Sequence, residues 1–121
     1  MLNRTALALA ALVVAASAGL AADAAVSGAD LLAKKAEFNG KTVTADCMLM
    51  VADESMGSMC AFKGAGNVML DAKSWTPETK KLVMETCNPA TVEKFCTITV
   101  TGTVDAAGPV VTLKNASAVK K

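Results

Sequence analysis

The chain has 121 residues, room for one domain, and its twelve Lys+Arg against eleven Asp+Glu leave a formal charge of +1. So even a balance gives no bulk attraction for a polyanion, and nucleic acid is not expected as a partner. There is no histidine, so the commonest general base, the usual metal ligand and any Ser-His or Cys-His pair are missing, which argues against most hydrolases and zinc enzymes.

Residues 1–24 read as a cleavable signal peptide. Arg4 is their first charge, an apolar stretch runs from Ala6 to Ala16, and small residues follow to Ala24. Ala22-Asp23-Ala24 fits an A-x-A cleavage site, and Gly19-Leu20-Ala21 is a second candidate. The apolar run is alanine-rich and broken by Ser17 and Gly19, too short for a stable membrane span. No twin-arginine pair is present, so the expected route is Sec-type export and the location periplasmic or secreted. Residues 25–121 then form the single domain, expected to be a monomer.

All four cysteines, Cys47, Cys60, Cys87 and Cys96, lie in that domain. In a small exported protein an even number reads as disulfides. No pair is C-x-x-C, which gives a redox motif no support, and the wide gaps argue against structural zinc. Four cysteines allow three connectivities. A hairpin joining Cys47 and Cys60 would turn at the polar Asp53-Glu54-Ser55, so the pairs 47–60 and 87–96 are favoured.

Along the chain, Ser27-Gly-Ala-Asp30 has capping-box spacing and predicts a short helix of about three turns through Leu31, Leu32, Lys35 and Phe38, stopped at Asn39-Gly40. From Lys41 the period becomes two, with Val43, Ala45, Cys47, Leu49 and Val51 on one face. Strands at Met59 to Lys63, with Cys60 and Phe62 inward, and at Asn67 to Ala72 complete a meander. Thr76-Pro77-Glu78 starts a helix that ends before Asn88-Pro89, and Trp75 is placed against the bottom of the core. Phe95 to Val104 alternates again, with Cys96, Ile98, Val100, Gly102 and Val104 inward. Val110 to Ala116 is the last strand, and Lys120-Lys121 is a frayed tail.

Five strands with a helix between the third and fourth is the order of a five-stranded OB-fold-like Greek-key barrel, here mainly β with an added N-terminal helix. Phe38-Asn-Gly-Lys-Thr-Val-Thr-Ala45 resembles the first strand of secreted bacterial OB-fold proteins. Thr97-Ile-Thr-Val-Thr-Gly-Thr-Val-Asp105, with Val110 to Val119, resembles their last hairpin. The pattern is similar to the bacterial OB-fold (bOF) family and the group called tRNA-anti-like, over about two-thirds of the exported part. The resemblance implies an exported binding module without catalytic residues or cofactor. Four cysteines and an extended helix set this chain apart from those families.

OB-folds bind on the face of their second and third strands, between the 1–2 and 4–5 loops. The binding candidates there are Met56, Met59, Phe62 and Lys63, with Lys73 the other nearby cation. One potential stacking ring, Phe62, is too few for a single-stranded nucleic-acid platform. The expected function is a non-catalytic module binding a small ligand, a peptide or an envelope protein. An alternative is a Cu(I) carrier: Met48, Met50, Met56 and Met59 cluster, thioethers suit soft ions, and Met56 and Met59 are the candidate ligands. A further alternative is an envelope stress or structural protein without a small ligand. Asp46, Asp53, Glu54 and Asp71 lack a calcium-loop spacing and read as solvated turns. Gly64-Ala-Gly66 lacks the ending of a phosphate loop, and Asn115-Ala-Ser117 matches a glycosylation acceptor.

Overall fold

The computed structural model describes residues 24–53, 55–71, 73 and 75–121. The signal-peptide reading of residues 1–23, and those of Glu54 and Ala72, lie outside them. The elements are β1 (Ala24–Ala25), α1 (Gly28–Ala33), α2 (Lys35–Phe38), β2 (Thr42–Val51), β3 (Ser58–Phe62), β4 (Gly66–Leu70), α3 (Pro77–Lys81) with a π-helical extension (Leu82–Thr86), β5 (Thr97–Asp105) and β6 (Thr112–Lys120).

Strand order is β1-β2-β3-β4-β6-β5, and β2 pairs again with β5. That second pairing closes β2 to β6 into a five-stranded barrel. Its neighbours are antiparallel except β4 and β6, which run parallel. This is the connectivity of an OB-fold, with α3 between the third and fourth barrel strands. Strand β1 was not expected from the sequence. It lies parallel to β2, placing Ala24 and Ala25 beside Val43 and Thr44.

Alternation explains the core. Val43, Ala45, Cys47 and Leu49 from β2 point inward with Cys60 and Phe62, Val68 and Leu70, Ile98, Val100 and Val104, and Leu113. Each fully buried branched side chain contributes about 1.5–3 kcal/mol. The Cys47–Cys60 disulfide crosses β2 and β3 inside the barrel, and Cys87–Cys96 ties the end of the π-helical turn to the start of β5. Both are the pairs favoured by the hairpin reading. The turn between β2 and β3 is built on Asp53, whose Oδ1 accepts from the Ser55 N–H, the Ser55 hydroxyl and the Met56 N–H.

Two bulges change the phase of the alternation. In β2 the register passes from Leu49 opposite Cys60 to Val51 opposite Met59, so Met50 is the extra residue. Val51, expected inside, is therefore 46% exposed. In β6 the register slips between the partners of Thr101 and Thr103, and Asn115 there has φ +53°. Asparagine tolerates this left-handed conformation, and the slip turns Ala116 and Ala118 inward beside Leu113. Gly102 faces this bulge, where a Cβ would lie 3.1 Å from both the Leu113 Cβ and the Lys114 carbonyl.

The helices cap the barrel. Ser27 Oγ accepts from the Asp30 N–H at 3.1 Å, and Leu31 is fully buried. Gly28 packs on Phe62: a Cβ there would sit 2.0 Å from the ring. The predicted three-turn helix is split, because Lys34 leaves helical geometry at φ −118°, ψ 33°. Thr76 caps α3, accepting from the Thr79 N–H. The buried Thr79 hydroxyl in turn accepts from Ala118 N–H at 3.1 Å, fastening helix to β6. The Cys87 N–H donates to the Leu82 carbonyl, the i to i−5 bond that brings Val83 and Cys87 to the core. Trp75 packs against the core, as expected. The last strand runs to Lys120 rather than Ala116, and Lys121 is not frayed: its N–H donates to the Thr97 carbonyl and its ammonium pairs with Asp46.

Candidate functional site

The outside of the barrel divides into a hydroxyl side and a thioether side. On the first, Thr42 and Thr103 share a hydroxyl hydrogen bond, as do Thr44 and Thr101, and Thr99 donates to Asp46 at 2.7 Å. Its hydroxyls satisfy one another, and threonine suits a half-exposed strand. The hydrogen bonds from Lys121 and then Thr99 hold the Asp46 carboxyl below its ordinary 3.8.

The thioether side follows the outer faces of β2, β3 and β4 and holds several hollows, of which two lie over the strands themselves. The larger, about 470 Å³, is lined by Asp46, Cys47, Met48, Met50, Ala61, Lys63 and Thr97. The bulge at Met50 puts Val51 on the same outer surface. The loop closed by Cys87–Cys96 borders it: Met48 shares a shallow hollow with Glu93, Lys94 and Phe95, and Met50 and Val51 share another with Pro89 and Phe95. Met48 is 39% and Phe95 44% exposed. These exposed apolar side chains gather on one side of the barrel. Thioether chains adapt to irregular partners.

The smaller hollow, about 310 Å³, lies between α1, β3, β4 and the 105–111 loop, lined by Leu32, Lys35, Met59, Asn67, Met69 and Val110 among others. This is the strand-and-loop face on which OB-folds bind.

The four expected binding residues are not gathered in one place. Phe62 faces the interior and is 4% exposed, so it is core. Met56 stands 79% exposed on the turn. Met59 lines the smaller hollow and Lys63 the larger. Sequence reading missed Phe95, whose position depends on the disulfide beside it, and Val51, whose exposure depends on a one-residue slip. It also missed Met69, which the register sets opposite Met59.

Among the described residues no group of three or more His, Cys, Asp or Glu is arranged to hold a metal ion. Asp53 is engaged in its own turn, and its carboxyl is lowered chiefly by the Ser55 hydroxyl. Asp71 accepts from the Lys73 N–H. Asp105 is lowered first by the Ala107 N–H and then by Lys114. All four cysteines are in disulfides, the state expected in an oxidising compartment. No helix among the described residues is long and apolar enough to cross a membrane. No family model, no curated protein and no solved structure matches this chain.

Proposed function

We propose that this chain is a non-catalytic binding module of the bacterial envelope, exported through its N-terminal segment and related to the bOF and tRNA-anti-like proteins. Its ligand is an apolar peptide segment of another envelope protein. The observation that carries the reading is the larger hollow lined by Met48 and Met50, with the exposed Val51 and Phe95 lining the hollows that share those methionines. The rim charges Lys63, Lys94 and Glu93 orient a partner without supplying a desolvated core charge. Asp46, the carboxylate of that hollow, is engaged by Lys121 and Thr99, and these bonds lower its carboxyl, opposite to the upward shift a general acid needs.

The test is a titration of isotope-labelled protein with short apolar peptides, followed by amide chemical shifts. Perturbations should map to residues 46–51, 61–63 and 93–97, and M48K should weaken binding at least tenfold with the melting temperature retained. Shifts confined to the threonine side, or binding unaltered by M48K, would refute the assignment.

A further inference from the structure

We propose that Met59 and Met69 form a two-thioether site for a soft monovalent cation, Cu(I) or Ag(I), on the smaller hollow. The site is separate from the apolar docking face and does not depend on it.

Strand register brings the two thioethers together. Met59 and Met69 are direct partners across β3 and β4. The Met69 N–H donates to the Val111 carbonyl and the Asp71 N–H to that of Leu113. Both therefore turn toward β6 and away from β3. In an antiparallel pair this makes Met59 and Met69 a non-hydrogen-bonded couple, the type whose Cα atoms come to roughly 4.5 Å and whose side chains lie closest. Both side chains are on the outer face, half-buried between inward neighbours Ser58 and Cys60, and Val68 and Leu70. Both line the same hollow.

A thioether sulfur sits two bonds beyond Cβ. On the scale of a zinc–thiolate bond, roughly 2.3 Å, one ion bridges sulfurs up to about 4.6 Å apart. Two methionines that start from neighbouring Cβ atoms span that gap in ordinary rotamers. Soft thioethers select Cu(I) and its congener over hard cations. The chain has no histidine and its cysteines are all oxidised, so neither an imidazole nor a thiolate competes for the ion. Met56, expected from sequence to pair with Met59, stands on the exposed turn and does not line the hollow. Lys35 does line it, and its charge opposes a cation.

The experiment uses the oxidised protein carrying 13C-methyl methionine. Silver nitrate is titrated aerobically, and Cu(I) anaerobically against a competing chelator. The ε-methyl signals of Met59 and Met69 should move together and saturate at one equivalent. M69L should lose at least tenfold in affinity, M56L and M48L should keep it, and K35M should bind more tightly. Motionless Met59 and Met69 methyls would overturn the site. So would equal shifts at Met48 and Met56, or movement of Met56 with Met59 while Met69 stays still. The wild-type methyl shifts answer the question even if M69L does not fold. M48K should weaken peptide docking at least tenfold while leaving silver binding intact, so the two proposals fail separately.

Discussion

Replacing Cys47 and Cys60 together by alanine tests whether the barrel relies on its internal staple. The two cysteines are 13 residues apart in sequence and 3% and 0% exposed. Closing a loop of that length removes roughly 10 cal/mol/K of entropy from the unfolded chain, or about 3 kcal/mol at 25 °C. Losing two buried sulfurs also leaves a small void in the core, adding of order 1 kcal/mol. The expected loss is therefore about 3–4 kcal/mol, against a typical domain stability of about 5–15 kcal/mol. At about 4–8 °C per kcal/mol for a domain of this size, the melting temperature should fall by about 12–30 °C. Urea unfolding of wild type and C47A/C60A, followed by circular dichroism, measures the difference directly. The Cys87–Cys96 loop, at 9 residues of separation, predicts an entropic loss only a few tenths of a kcal/mol smaller. A C47A/C60A variant within about 1 kcal/mol of wild type would refute the reasoning, since neither the entropic nor the packing contribution would then be present.

Two further outcomes follow from the structure. Asp46, Asp53 and Asp105 all have folded carboxyls lowered below 3.8 by hydrogen bonds, and for Asp46 and Asp105 also by lysines. Their stabilisation is complete above the ordinary carboxylate value and is lost as pH falls through the lower folded values. The melting temperature should decline modestly from pH 4 toward pH 2, and D46N/D53N/D105N should flatten that decline; an unchanged slope would contradict it. Asn115 holds a left-handed φ of +53° at the β6 bulge. Asn115→Val should cost about 1–2 kcal/mol in urea unfolding, while Asn115→Gly should lie within a few tenths of wild type. Equal losses in both variants would count against a backbone origin.

Much of the scaffold was legible because its signals are local. The two-residue period of β5 marks Ile98, Val100, Gly102 and Val104 as inward, and they are buried. Thr76-Pro77 marks the start of α3, where Thr76 is the cap. The spacing of Cys47 and Cys60 around a polar turn suggested their pairing, and that disulfide is present. The candidate site was less legible. Met56 and Met59 are close in sequence, yet Met59 finds Met69, ten positions on, across a strand pair. Phe62, named as a binding candidate, follows instead the inward alternation of its own strand and is buried with Gly28 packed on its ring.

Composition, strand period, caps and cysteine spacing thus determine a disulfide-bearing five-stranded barrel, because each acts over a few neighbouring residues or through the chain's closure. Which thioethers share a surface is decided only in three dimensions. The bulges at Met50 and Asn115 shift alternation by one residue, and such a shift moves a side chain from core to solvent. Barrel closure then brings segments far apart in the chain, such as Met48 and Phe95, to the rim of one hollow. Register is a property of two strands together, so neither strand read alone contains it.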